Sequence, residues 1–518
     1  MMNAIKGGLF ITAFILSSTV FGMKTTRLIV KFKNGGVIKS HFSSASVKSA
    51  KSHGEGTVII HAQSHFEMKA MLESYKNDDS VVYVEEDKIM KHFYEPGDGA
   101  SIKAQQYSSQ WHYFESDGGI NLPAAWDLTL GTSSTVVAVV DTGITDHSDL
   151  NDKVLPGADL ISDPYFANDG GGRDSDPSDP GDWVQFGDTC YQGFATNSSW
   201  HGTHTAGTIA ASTGNGIGVA GVNWNAKILP VRVLGKCGGY ESDIADGIRW
   251  AAGQSVSGLG ANPNPAKVIN LSLGGIGACS FTMQAAINEA NSRGAIVIVA
   301  AGNDNADLNY QAYSPANCSG VLVVGASNRD GSRSYFSNHG SKVDLVAPGG
   351  DHLGSILSTH NGGSQGPSFE SYSSMTGTSM SAPHVAGVAS LMLAVTPGLY
   401  PAQLREILRN TSSSFPWGSS CNSSICGHGI VDAYTAVVEA STTTPDPNYV
   451  GNDHPPISGI SGQAPLYRVT NDDNGVGCGT IIYDDSNSNG PRGGMPVLFF
   501  TLCLMMLKLT GKKIKFKD

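Results

Sequence analysis

The segment 385–395, VAGVASLMLAV, has almost no polar side to turn toward water. A helix that is apolar all round is a buried one, so the chain must build a core around it. Immediately before it runs Gly377-Thr378-Ser379-Met380-Ser381-Ala382-Pro383-His384. A serine in a small-residue turn at a helix start sits beside free backbone N–H groups and the positive end of the helix dipole. That place suits a nucleophile whose attack builds negative charge on a carbonyl oxygen. Serine is also a common N-cap, so the residue carries weight only in company.

Between 136 and 346 the chain alternates apolar strands with helices. The strands are expected at 136–140, 227–233, 267–273, 296–300, 321–324 and 343–346, the helices at 241–252, 280–293 and 379–395. This alternation predicts an α/β fold, a doubly wound and mostly parallel sheet with helices on both faces. Catalytic groups at strand ends and helix starts suit such a sheet.

Four more segments accompany the serine turn. Val136-Val-Ala-Val-Val-Asp141-Thr-Gly143 is a β-rich run ending in an acid and a Gly turn. Ser199-Trp-His201-Gly-Thr-His204 opens a small-residue helix, and Asn270-Leu-Ser272-Leu-Gly274-Gly275 is a strand with a Gly pair. Val297-Ile-Val-Ala-Ala-Gly302-Asn303 is a buried strand ending in Gly-Asn. Asp, His and Ser thus fall in the order 141, 201, 379. In that order and with those segments the chain resembles the subtilisin-like serine peptidases over residues 105–441. A metal pair of His201 and His204 is the competing idea, but a zincin helix needs H-E-x-x-H, and Gly202 stands where the Glu would be.

The resemblance implies roles. Ser379 is the expected nucleophile, His201 the general base and then acid, and Asp141 the holder of the imidazole tautomer. Asn303 and the backbone N–H of Ser379 would donate to the oxyanion. Substrate would bind as an extended strand between Ser272-Leu273-Gly274-Gly275 and Gly238-Gly239-Tyr240. Gly274 and Gly302 leave room for a large apolar or aromatic P1 side chain; no well-placed acid makes a basic pocket, and Asp307 is the one residue left open for that role. Calcium is the expected structural ion. Asp149, Asn215 and the carbonyls of Ile217 and Val219 form one candidate cage, and Asp174, Asp176, Asp179 and Asp182 a second. For the second, a solvated acidic loop is the alternative.

The flanks give the expected organisation. Lys6 and the apolar run 8–21 read as a signal peptide over 1–22, with a retained anchor as the alternative. Residues 24–95 read as a small α+β unit with strands at 27–32, 56–61 and 81–87 and a helix at 66–75. It resembles the family's inhibitory pro-domain, which implies a zymogen. Residues 96–110 would be a maturation linker, and the Gly-, Ser- and Gln-rich stretch from Tyr94 to Gln110 would hold the cut. The catalytic domain would run over 111–441 and a polar tail over 442–492. At 493–518, Gly493-Gly494, a short apolar run and five lysines resemble a Gly-Gly sorting tail of Gram-negative exported proteins, although Pro496 interrupts the run. This implies transient membrane contact and cleavage by a rhomboid-type peptidase. A plain tail anchor is the rival.

Eight cysteines suit an exported chain. Cys421 and Cys426 are close enough for a local loop; Cys190–Cys237 and Cys279–Cys318 are the expected remainder, although six cysteines allow 15 pairings and sequence does not choose among them. Cys478 has no evident partner. A net charge of −12 argues against a general nucleic-acid surface. The reading is therefore a secreted or cell-surface, calcium-stabilised, monomeric serine endopeptidase acting on protein and peptide substrates, held by its own pro-domain. A surface adhesion or binding protein on an inactive peptidase scaffold is the alternative. The presence of all four catalytic residue types stands against it.

Overall fold

The computed structural model describes residues 26–33, 47–53, 56–92, 106–191 and 193–451. The signal segment 1–22, the sorting segment 493–518 and Cys478 lie outside them, as does most of the 96–110 linker.

Seven parallel strands form the central sheet, in the order Leu345–Pro348, Val321–Ser327, Ile296–Ala300, Val268–Leu271, Val136–Asp141, Lys227–Arg232, Ala158–Asp159. Side chains alternate across a strand, so neighbours in sequence enter opposite cores. Val137, Val139, Ile228, Ile296 and Ile298 join the Thr378–Val395 and His201–Ala210 helices on one face. Ala138, Val140, Leu229, Val297 and Val299 join Glu241–Ala251 and Phe281–Ser292 on the other. Both faces being covered explains why these strands read as continuous apolar runs. The doubly wound α/β expectation holds.

The first catalytic-region strand, Val136–Asp141, lies inside the sheet. Later strands add on one side of it up to Arg232, and on the other side from Val268 onward. The chain therefore reverses its winding between Val136–Asp141 and Val268–Leu271. In open α/β sheets ligands bind at the carboxyl ends of strands at this reversal. Asp141 and Ser272 are found there. The expected strand 267–273 is in fact two. Val268–Leu271 belongs to the parallel sheet, and Leu273–Ile276 turns away at Ser272 into a separate antiparallel sheet.

The three expected disulfides are present, Cys190–Cys237, Cys279–Cys318 and Cys421–Cys426. The Ala433–Thr442 helix runs past the expected domain end at 441, and Gln403 holds the segment after it by bonding Thr444 O and Asp446 N. Packed chain thus extends into the expected tail.

The N-terminal region is a four-stranded antiparallel sheet, in the order Val47–Ser52, Thr57–Ala62, Arg27–Phe32, Val81–Glu86. The His65–Lys76 helix packs on it, opened by Ser64, whose Oγ accepts from Glu67 N at 3.2 Å. Val47–Ser52 had no sequence signal. It is an edge strand, largely exposed and without apolar alternation.

Candidate active site

Asp141 ends its strand with a buried carboxylate. Oδ1 accepts Thr142 N at 2.7 Å and Nδ1–H of His201 at 2.7 Å. His201 is the first residue of its helix because Trp200 ahead of it is left-handed, with φ 51°, and is tied by Nε1 to Gly363 O at 2.7 Å. A bulky residue in that conformation is strained, which fits a position fixed for the imidazole that follows. Gly202 packs on Gly143. A Cβ there would stand 2.2 Å from the Gly143 carbonyl oxygen, so no zincin-type Glu fits. His204 is buried and turned away, with Nε2 against Ile356 O and Ser373 O at 3.1 Å each, and burial lowers it to about 3.

Ser379 opens the buried helix. Its Oγ donates to Ser272 O at 3.0 Å, and Ser272 Oγ donates back to Ser379 O at 2.8 Å. This reciprocal clasp joins the nucleophile to the strand reversal. Asn303 is oriented by a residue that sequence reasoning missed. Its Oδ1 accepts from both Thr378 N and Thr378 Oγ1 at 2.9 Å, and Thr378 Oγ1 in turn accepts Gly302 N at 3.1 Å. With the oxygen so engaged, the amide Nδ2 is left as a buried donor with no acceptor among the described residues. A preorganised donor of this kind is what an oxyanion site requires. Nothing in the local sequence marks Thr378 for that task.

The two predicted substrate edges face one another across a strand. Ile89–His92 of the N-terminal region runs antiparallel to both, pairing Leu273 with His92 and Gly274 with Lys91 on one side, and Tyr240 with Ile89 and Gly239 with Met90 on the other. Met90 is buried in the same apolar cluster as Leu273 and Ile244. Gly275 pairs outward with Ser314, and Gly302 takes φ 104°. Gly238 also has a positive φ, 101°, after Cys237 at 71°. Asp307 is turned onto its own loop, accepting Asn309 N at 2.9 Å.

Two acids of the N-terminal region have a definite use. Glu85 accepts Phe281 N and Thr282 N, each at 3.0 Å, and Asp87 accepts Ser242 N at 2.8 Å. Two carboxylates thus cap the exposed N–H groups of two catalytic-region helices. Burial pushes both carboxyls up, against the pull of those bonds.

The calcium candidates divide. Asp149 is buried, with Oδ1 2.6 Å from the Asn215 amide and Oδ2 accepting Val219 N at 2.9 Å. Gly214, Gly216 and Gly218, all left-handed, coil the loop that carries Asn215, Ile217 and Val219. Burial raises the Asp149 carboxyl, a cost that a bound cation would relieve. In this structure Asn215 turns its amide nitrogen to Asp149 and its Oδ1 accepts Ile217 N at 3.2 Å, so protein donors occupy the oxygens a hard ion would use. Gln106 adjoins it through its backbone N–H on Gly218 O at 2.8 Å, a neighbour not foreseen. The four other acids are not gathered to one point. Asp179 takes Thr142 Oγ1 at 2.7 Å, Asp182 takes Ser199 N and Oγ at 2.6 and 2.7 Å, and Asp174 accepts Asp176 N at 2.8 Å. Among the described residues no group of three or more His, Cys, Asp or Glu converges as a metal site would. The second cage is corrected to a loop held by protein donors.

Residues 132–429 match the Subtilase family, and the chain belongs to that family. It is 49% identical over 376 residues to an extracellular protease of Xanthomonas campestris pv. campestris, covering 72% of this chain and 62% of that one. It is 41% identical over 426 residues to an extracellular basic protease of Dichelobacter nodosus, covering 80% and 68%. A solved protease structure from Pseudoalteromonas arctica aligns with TM-score 0.63 and 55% identity over 66% of this chain and all of that one. The chain therefore spans about two thirds or less of the length of these curated relatives.

Proposed function

We propose that this protein is an exported serine endopeptidase made as a self-inhibited precursor. One observation carries the reading. A strand of the chain itself lies between the two expected substrate edges, with His92 opposite Leu273, next to the Ser272 whose carbonyl takes the Ser379 hydroxyl. A peptide bound in that way presents its backbone to the edges and its alternate side chains to pockets. Ser379 Oγ attacks the carbonyl carbon while His201 takes its proton; Asp141 holds the imidazole and balances the imidazolium. Asn303 Nδ2–H donates to the oxygen as it becomes negative. His201 then returns the proton to the leaving amine, and water repeats the sequence on the acyl-enzyme.

Counting along the cleft supports a site for the first cut. His92 pairs with Leu273, one residue after Ser272, whose carbonyl receives the Ser379 hydroxyl, so in this antiparallel register the residue after His92 falls opposite Ser272. The bond that follows Phe93 is then the one cleaved, at the start of the expected stretch. Phe93 agrees with a preference for large apolar P1 residues. A structural calcium at Asp149, Asn215, Ile217 and Val219 would stabilise the mature enzyme by mass action. The tail 493–518 would be removed on export.

Purified mature protein should digest casein and lose that activity to a serine-directed phosphonate. No digestion, or digestion indifferent to the phosphonate, would sink the reading. N-terminal sequencing of the first maturation product should begin at Tyr94. EDTA should lower the thermal midpoint and calcium restore it; an unmoved midpoint removes the ion from the account.

A further inference from the structure

Arg27 opens the first strand of the N-terminal region, yet its guanidinium is seated on the catalytic region. Its Cζ lies 3.9 Å from the centre of the Tyr240 ring. Nη1 donates to Ser162 Oγ and Nη2 to Ser242 Oγ, both at 3.1 Å, and Nη2 also pairs with Asp87 at 2.9 Å. Behind the two serines stands Asp243, fully buried, accepting Ser162 N and Oγ at 2.9 Å. Arg173 pairs with Asp243 at 2.7 Å and with Asp246 at 2.6 Å.

Two further N-terminal side chains meet the same helix. His53 Nε2 lies 2.5 Å from Asp246 Oδ2, and Lys88 Nζ lies 3.9 Å from Glu241 Oε2. When residues 26–92 depart, Arg27, His53, Lys88 and Asp87 leave together. The Tyr240 face, the Ser162 and Ser242 hydroxyls, Glu241, Asp243 and Asp246 remain. Arg173 and Arg249 balance them in part, and Arg249 is shared with Glu289.

This seat adjoins the path of a bound chain. Tyr240 ends one substrate edge and pairs with Ile89. If the cut follows Phe93, Ile89 is the fifth residue before it, Lys88 the sixth and Asp87 the seventh. Lys88 reaches Glu241, and Asp87 reaches the Arg27 guanidinium. A substrate threaded through the same edges brings its own sixth and seventh residues to these groups.

We propose that the mature enzyme has a distal cation subsite, in which Tyr240, Ser162, Ser242 and Asp243, flanked by Glu241, hold an Arg or Lys side chain six or seven residues before the scissile bond. The inference rests on the endopeptidase reading. The aromatic face, two acceptor oxygens and a buried carboxylate suit a planar cation, and the guanidinium already seated there shows that they can receive one.

The test uses enzyme matured from the full chain and fluorogenic peptides that share every residue from the fifth before the cut onward. The sixth and seventh residues are varied singly among Arg, citrulline, which has the same shape without charge, and Glu. Arg should exceed citrulline by about five- to twentyfold in kcat/KM at one of the two positions, through KM, and Glu should fall below citrulline. The Arg preference should shrink in 0.5 M salt. Ser162→Ala and Asp243→Asn should each reduce the Arg-to-citrulline ratio, read within each variant so that altered overall activity cancels. Equal cleavage of the three peptides by active enzyme, or an unchanged ratio in both variants, overturns the subsite. Failure to cleave any of them fails the endopeptidase reading instead.

Discussion

The catalytic region and the N-terminal region hold themselves together by different means. The catalytic region has two apolar cores, one on each face of its sheet, with the Thr378–Val395 helix buried in one of them. The N-terminal region has one small core, built around Leu28, Val30, Phe32, Ile60 and Met68 under a single helix. A unit of that size buries too little surface to be more than marginally stable alone. Its hold on the catalytic region comes from Glu85 and Asp87 on two helix N-termini, from Arg27, and from the Ile89–His92 strand. Most of these contacts are polar and become solvated on separation. One region thus holds by its own cores, the other largely by polar contact with its neighbour, which is what the proposed removal of the N-terminal region would need.

Ser379→Ala offers the largest way to break that distinction. Activity should fall by about 10⁶ in kcat, the magnitude known for the nucleophile of subtilisin. The precursor should keep residues 26–92 covalently attached, seen by intact mass. A variant that matures normally with no other protease present would show that the chain does not cut itself.

Asn303→Ala should lower kcat by about 10²–10³, the scale established for the corresponding donor in subtilisin, with KM nearly unchanged. The folded state should survive at a modest cost, because Nδ2 has no acceptor among the described residues and only the two Thr378 bonds to Oδ1 are lost. A change confined to KM would assign Asn303 to ground-state binding.

Asp87→Asn, made in the Ser379→Ala precursor, separates the regions more gently. It leaves the buried Arg27 without its carboxylate and weakens the cap on the Glu241–Ala251 helix. Docking should weaken by about 2 kcal/mol, roughly 30-fold. An added protease should then strip the N-terminal region correspondingly faster while the catalytic region resists. Equal protection of the two variants would mean that the strand alone holds the complex.

The smallest effect is a pH dependence. Burial pushes the Glu241 carboxyl up to about 7, against the pull of Lys88 and Ser280 and with the repulsion of Glu85 and Asp87. A raised carboxyl favours the docked state while protonated. Its contribution is full below about pH 4.5 and is lost as pH rises through 7. Asp246 acts oppositely and lower: burial alone would raise it, but His53 and Arg173 hold it down to about 2, so its contribution is lost only as pH falls below about 4. Between pH 5 and 8 the docked region should therefore loosen. Glu241→Gln should flatten that response, measured as the ratio of stripping rates to the parent precursor at each pH.

Much of the site was legible because its residues sit at ends of elements that announce themselves. Asp141 closes an apolar strand, His201 and Ser379 open small-residue helices, and Asn303 follows a strand ending in Gly302. The acidic loop was misread because its donors are distant in sequence. Thr142 reaches Asp179 across 37 residues, and Ser199 reaches Asp182 across 17. The strand break at Ser272 was hidden for a similar reason. Its cause is Ser379, 107 residues later, clasping the Ser272 backbone.

By itself, then, the sequence determined the alternation of strand and helix, the buried central helix and the order of the catalytic groups, because hydrophobic periodicity and turn chemistry act over a few neighbouring residues. Tertiary structure decided which way Asn303 faces, which donors satisfy Asp179 and Asp182, and where Arg27 lies. Each of these depends on a buried polar group finding a partner brought near only by the folded sheet, and a buried polar group without one is too costly to keep.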